Sequence, residues 1–167
     1  DPFAGLEDLR EGRVRFVGDP ERRIREDYLR ILRFFRFFAR FGRAPADAAA
    51  LAACAELAAG IDRLSGERVR HELLGILAAE RPLTALALMR QCGVLARVVP
   101  GRIAPEALER LLAAWPDADP LLRLAALLRE GGSDRVEPLT ARLRLSNAQA
   151  ERLTQLLATP LPDRTVL

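Results

Sequence analysis

The positions of apolar residues along the chain predict a succession of amphipathic helices. The clearest apolar face has three- and four-residue spacing and is formed by Ile24, Tyr28, Ile31, Phe35 and Phe38. Asp19 and Pro20 are a typical start for a helix, and Gly42 is a typical end. We therefore predict one unbroken helix from Asp19 to about Phe41.

After residue 43 the chain is rich in Ala and Leu, with polar residues at helical spacing. Ser65, Asp119 and Ser146 are typical N-cap residues, and Gln149 completes a capping box with Ser146. These start signals and the helical spacing predict further helices over residues 45–60, 65–79, 82–92, 104–115, 119–130, 134–144 and 146–158.

The N-terminal region has a different pattern. Residues 5–12 predict one or two helical turns that end at Gly12, and residues 13–17 alternate, with Val14 and Phe16 on one side. Alternation is typical of a short strand, which would need a partner strand from outside this chain. The predicted fold class is therefore all-α, an array of amphipathic helices with a short N-terminal strand-bearing segment.

Composition excludes several classes of protein. The chain has 167 residues, half of them hydrophobic and 29% charged, and no apolar run approaches the length of a membrane span. It has two cysteines, Cys54 and Cys92, and one histidine, His71. These numbers argue against a disulfide-stapled scaffold and a Cys/His metal site, and they fit a reducing, cytoplasmic setting. We expect His71 to be a structural or surface imidazole.

The charge is unevenly distributed. The net charge is +3 and all 26 basic residues are arginine; residues 1–43 hold 11 arginines against 8 acids, while the remainder is balanced. Arginine suits phosphate and base recognition, so this region is a candidate nucleic-acid surface. A solvated basic face is the alternative interpretation.

Candidate chemistry lies in residues 25–37. Glu26 and Asp27 precede three arginines at three-residue steps, Arg30, Arg33 and Arg36. Residues three apart are neighbours on a helix, so Asp27 is expected to lie beside Arg30. A carboxylate accepts hydrogen bonds and a guanidinium donates them. The pair then matches the edges of cytosine and adenine, which place a donor beside an acceptor, and mismatches those of uracil and guanine.

In this interpretation Arg33 and Arg36 contact the sugar or the triphosphate. The alternative is that Asp27 and Arg30 form an ordinary surface ion pair worth a few tenths of a kcal/mol.

Three segments carry a resemblance to a known family. Residues 1–9 (DPFAGLEDL), 18–42 (with REDYLRILRFFRF) and 63–77 (RLSGERVRHELLGIL) resemble, in order, three motifs of bacterial CCA-adding enzymes, the class II tRNA nucleotidyltransferases. The resemblance implies three parts. Residues 1–18 would be the end of a head domain and its connector, residues 19–43 a neck helix, and residues 44–167 a helical body.

The resemblance also implies residue roles. The neck helix would be the template that binds CTP and ATP through Asp27, Arg30, Arg33 and Arg36, with Glu26 supporting them. The connector residues that couple head movement to nucleotide choice would be Asp1, Gly5 and Asp8. The structural residues of the body helix that brace the neck would be Glu67, Arg68 and Glu72.

The family's catalytic carboxylates and their Mg²⁺ ions would lie in a head domain outside this chain, so we expect no catalytic or metal-binding residue here and an inactive fragment. The expected partner is tRNA. A bacterial poly(A) polymerase fragment is the nearest alternative, and a non-catalytic helical module that binds RNA or protein is another. Exposure of Val14 and Phe16 would favour a missing head; their packing within the chain would favour the module.

Overall fold

The computed structural model describes residues 5–160, which form helices and connecting loops with no strand. The helices are α1 (Gly5–Glu11), α2 (Pro20–Glu26), α3 (Leu29–Phe41), α4 (Ala48–Leu57), α5 (Gly66–Ala78), α6 (Pro82–Gln91), α7 (Leu95–Val98), α8 (Pro105–Ala114), α9 (Pro120–Leu127), α10 (Val136–Leu143) and α11 (Asn147–Ala158). Two 3₁₀ segments span Ala58–Arg63 and Arg129–Arg135. The all-α prediction is confirmed.

The predicted helix starts are confirmed at four places. The carboxylates of Asp19 and Asp119 accept hydrogen bonds from the first-turn amides of α2 and α9, and the Ser65 hydroxyl does so for α5. At α11, Ser146 and Gln149 form the reciprocal capping box. These side chains satisfy amides that have no partner inside the helix, which is why the starts can be found from sequence.

The prediction of one unbroken helix up to Phe41 is wrong. The chain leaves helical geometry at Asp27, whose φ of −159° and ψ of 108° are extended, so α2 and α3 are separate helices. The extended backbone lets the Asp27 carboxylate accept from the Leu29 amide at 3.1 Å and from Arg68 on α5 at 3.0 Å. Apolar spacing continues across the break because both helices bury a face in the same core.

The predicted strand at residues 13–17 is also wrong, since this segment has no regular secondary structure. The Phe16 ring stacks on Phe34 of α3, with 5.6 Å between centroids and 15° between planes, and Val14 packs against the same core. The alternation therefore reflects packing against a helix rather than pairing with a strand.

Three smaller differences concern helix ends. In the regions predicted as helices 45–60 and 119–130, the α-helix ends at Leu57 and Leu127, and 3₁₀ turns follow. The short helix α7 was not predicted. At the first of these ends, Gly60 lies against the ring of Tyr28, where a Cβ would come within 1.9 Å of the ring. Because of this close approach, the 3₁₀ segment packs against the break between α2 and α3.

The core is one hydrophobic cluster that extends from Ile24 to Leu157. The inner face of α3 packs on α5 and α6, α2 packs on α4, and α9 packs on α5, α8 and α11. Among residues 5–160, no helix combines the length and the apolar character that crossing a bilayer requires.

Arg123 of α9 is a buried cation that the sequence pattern did not reveal, with 6% of its surface exposed. Its guanidinium donates to the carbonyls of Leu77 at 2.5 Å and Ala79 at 2.9 Å, where α5 ends, and to those of Ala118 at 2.7 Å and Pro116 at 2.5 Å. A cation is favourable at a helix C-terminus, and these bonds join α5 to the α8–α9 loop.

We expect Arg123→Ala to lower the free energy of unfolding by about 3–5 kcal/mol, because two buried and two partly buried carbonyls lose a charged donor. Arg110→Ala, which removes the same charge from an exposed position of α8, should change it by less than about 0.5 kcal/mol. Urea denaturation measures both. A loss below about 1 kcal/mol for the Arg123 variant would contradict this role.

Candidate functional site

The break between α2 and α3 presents the Asp27 carboxylate at the edge of α5. Its side chain is 29% exposed, and Arg68 contacts Oδ2 while the Leu29 amide contacts Oδ1. Burial alone would raise the pKa of Asp27, but the Leu29 amide and the Arg68 guanidinium outweigh it, so the pKa lies below its usual value. Asp27 is therefore held as a carboxylate.

Arg30 leaves the first turn of α3 and is also 29% exposed. Its Nη1 donates to the Arg23 carbonyl at 2.8 Å and to the Glu26 carboxylate, which accepts from Arg23 as well. The hydrogen bond from Arg30 lowers the pKa of Glu26, and both Arg23 and Arg30 add to this through their charge.

The expected adjacency of Asp27 and Arg30 on one helix is therefore wrong in its geometry. Asp27 lies in the break, and the two side chains have separate partners, Arg68 and Glu26. The main chain still links them, because the Arg30 amide donates to the Asp27 carbonyl at 3.0 Å. Both remain partly exposed at the start of α3.

Arg33 and Arg36 converge on one buried carboxylate, Glu72 of α5. Glu72 has 2% of its side chain exposed and lies 3.5 Å from Arg33 Nε and 3.2 Å from Arg36 Nη1. Its Oε2 makes the Arg36 contact without hydrogen-bond alignment, so the contact is electrostatic. The side chains of Arg33 and Arg36 are 49% and 30% exposed, so each reaches from the buried carboxylate to solvent.

The other sequence-predicted residues lie apart from this cluster or outside the described part. Asp8 on α1 is 8% exposed and accepts from Arg13 at 3.2 Å and Arg15 at 2.6 Å, so its contacts are within the N-terminal segment. Gly5 and Glu67 are exposed at the starts of α1 and α5, and His71 is exposed on α5. Asp1 lies outside the described residues.

Sequence analysis missed the position of Tyr28. Its ring lies between Gly60 and Arg63, whose guanidinium carbon is 5.9 Å from the ring centroid. The spacing placed Tyr28 on an apolar face, and no local signal identifies partners more than 30 residues away along the chain.

The described residues contain no group of three His, Cys, Asp or Glu side chains that could hold a metal ion. The family resemblance assigns Mg²⁺ to a head domain outside this chain, and that assignment stays a prediction.

Part of the chain matches a known family. Residues 47–104 match the family described as the probable RNA- and SrmB-binding site of polymerase A.

Curated relatives agree with that match. The mitochondrial CCA tRNA nucleotidyltransferase 1 of Danio rerio is 38% identical over 156 residues, covering 89% of this chain and 35% of the relative. The multifunctional CCA protein of Burkholderia mallei is 44% identical over 100 residues, covering 60% of this chain and 24% of the relative. The chain spans about a third of the length of the first of these.

Solved structures share the fold. The Thermotoga maritima CCA-adding enzyme complexed with tRNA superposes with a TM-score of 0.70 at 24% identity, over 90% of this chain and 40% of that one. A CCA-adding enzyme complexed with CTP gives a TM-score of 0.70 at 23% identity, over 93% of this chain and 40% of that one.

We expect Arg68→Ala to raise the pKa of Asp27, because it removes one of the interactions that keep the carboxylate charged. Arg25→Ala, an exposed arginine of α2 that pairs with Glu21, serves as the charge-matched control. An NMR pH titration of the Asp27 carboxyl carbon measures both variants.

The lowered pKa of Asp27 determines how the stability of the fold changes with pH. Asp27 stabilises the fold above the pKa of an unfolded aspartate, and this stabilisation is lost as the pH falls through the lower, folded-state pKa. An unchanged pKa of Asp27 in the Arg68→Ala variant would show that the Arg68 contact does not determine the charge state of this carboxylate.

Proposed function

The chain belongs to the family of CCA-adding enzymes and poly(A) polymerases, and on that premise we propose that it is the neck and body of a tRNA nucleotidyltransferase that adds C, C and A to tRNA 3′ ends. The observation that carries the proposal is the pair of partly exposed groups of opposite charge, Asp27 and Arg30, at the start of α3. The longer relatives and the shared fold support it.

The base-recognition step uses groups that remain available on both residues. A carboxylate has about four acceptor positions, of which Arg68 and the Leu29 amide occupy two on Asp27. A guanidinium has five N–H donors, and the contacts of Arg30 use Nη1. The exocyclic amine of cytosine or adenine donates to Asp27, and the neighbouring ring nitrogen accepts from Arg30.

Discrimination follows from mismatched polarity. Uracil and guanine present a carbonyl where Asp27 needs a donor and an N–H where Arg30 needs an acceptor. Each unpaired group costs roughly 1–3 kcal/mol. Two such groups give a preference on the order of 30- to 10⁴-fold, at about 1.4 kcal/mol per factor of ten.

The two following arginines position the rest of the nucleotide. Glu72 fixes one side of Arg33 and Arg36 against α5, and their exposed parts are free to contact the sugar or the triphosphate. Glu26 holds Arg30 in place through its ion pair. ATP and CTP are the proposed substrates and tRNA the proposed partner.

Nucleotidyl transfer in this proposal takes place in a longer protein that supplies the metal-binding carboxylates. The 167-residue chain alone is then expected to bind nucleotide and RNA without catalysing addition.

A non-catalytic helical module that binds RNA is a second candidate, and one observation favours it. Phe16 stacks on Phe34 and Val14 packs on the core, so the N-terminal segment does not leave these two side chains without a partner. The module requires no nucleotide selection, and this difference separates the two candidates.

We expect Asp27→Ala and Arg30→Ala, each made in a full-length protein that contains this chain, to reduce selection of CTP and ATP over UTP and GTP by about 5-fold or more, since each variant removes one of the two groups. Incorporation into tRNA lacking its 3′ CCA measures selection, with the four nucleotides offered in competition. Arg110→Ala is the surface control.

Unchanged nucleotide selection by both variants would contradict the proposal that Asp27 and Arg30 form the template. Repeated incorporation of ATP with no use of CTP by the unsubstituted protein would identify a poly(A) polymerase instead. Absence of any nucleotide incorporation by the full-length protein would favour the non-catalytic module.

A further inference from the structure

Four arginines surround the first turn of α5, and we name them the arginine belt: Arg63, Arg68, Arg70 and Arg144. One end of the belt touches the proposed template. Arg68 Nη2 lies 3.0 Å from Asp27 Oδ2, and the Arg63 guanidinium carbon lies 5.9 Å from the centroid of the Tyr28 ring. Arg63 and Arg68 are exposed.

The other end of the belt lies where α10 ends. The side chain of Arg144 passes over Gly66, the first residue of α5, where a Cβ would come within 2.8 Å of Arg144 Cγ. Arg70 Nη1 donates to the carbonyls of Leu143, at 3.4 Å, and Arg144. Arg70 therefore fixes the backbone from which Arg144 projects.

The backbone of Arg144 is unusual. It adopts left-handed geometry, with φ of 52° and ψ of 49°, and is the one non-glycine residue of the described chain with positive φ. Glycine or asparagine is favoured at such a helix end. Arg144 is exposed, and within residues 5–160 no carboxylate pairs with it. An arginine at this position exposes an unpaired charge at some cost in backbone energy.

We propose that Arg144 binds a backbone phosphate of the RNA strand whose 3′ end reaches the nucleotide held by Asp27 and Arg30. This inference rests on the proposed function. Gly66, beneath Arg144, and Arg68, which contacts Asp27, belong to the same turn of α5. Because a helix is about 10–12 Å across, a strand leaving the template crosses to Arg144 within a few nucleotides.

Two further features bear on this site. Glu67 is exposed in the same turn of α5 and opposes a phosphate there, so neutralising it should strengthen binding. Arg144 lies outside residues 47–104, which match the RNA-binding family. The belt thus extends the RNA surface from that segment onto α10.

The test compares Arg144→Gly with Arg110→Ala in the 167-residue chain. Glycine removes the side chain but suits the left-handed backbone, so the melting temperature should not fall. Binding of tRNA lacking its 3′ CCA, measured at several salt concentrations, should weaken by about 3- to 10-fold for Arg144→Gly. The slope of log K against log salt should become shallower by about 0.7–0.9.

The control should leave both quantities unchanged, and Glu67→Gln should tighten binding. Titration with CTP alone distinguishes binding of an RNA backbone phosphate from binding of the nucleotide triphosphate. Weaker CTP binding by Arg144→Gly with unchanged tRNA binding would assign Arg144 to the triphosphate and overturn the proposal.

Equal tRNA affinity and slope for Arg144→Gly and Arg110→Ala would overturn this inference and leave the proposed function standing. Failure of the unsubstituted chain to bind tRNA would overturn both.

Discussion

A single buried carboxylate holds the arginine row of α3 against the helical body. Glu72 is 2% exposed and has lost nearly all of its hydration, which is costly for an ionised group unless cations surround it. Arg33 and Arg36 supply those cations from successive turns of α3. Because these arginines share Glu72, α3 has one preferred rotation and height on α5, and the residues at its start have fixed positions.

The same helix, α5, also contacts the break between α2 and α3. Arg68 lies one turn before Glu72 and contacts Asp27, so α5 contacts both the extended residue between α2 and α3 and the arginines that follow it. Asp27 and Arg30 stay partly exposed because their partners, Arg68 and Glu26, cover only part of each group. Preorganised groups of opposite charge at a helix start suit recognition of a planar base.

Sequence alone predicted the features that depend on local chemistry. Asp19, Ser65, Asp119 and Ser146 cap helices because a side chain two or three residues away satisfies free amides. Prediction from sequence failed where residues distant along the chain determine the structure. At the break, Asp27 contacts Arg68, 41 residues later, and the alternating pattern around Phe16 reflects packing on Phe34 rather than a strand. Arg123 was missed because its carbonyl partners on α5 lie more than 40 residues away.

We propose that the start of α3 distinguishes bases by hydrogen-bond polarity. NMR on the chain itself tests this proposal, following the Asp27 carboxyl carbon and the Arg30 side-chain N–H while CMP, AMP, UMP and GMP are added separately. We expect saturable shifts at both residues with CMP and AMP, and none with UMP and GMP at equal concentration. The same response to all four nucleotides, or no response to any, would contradict it.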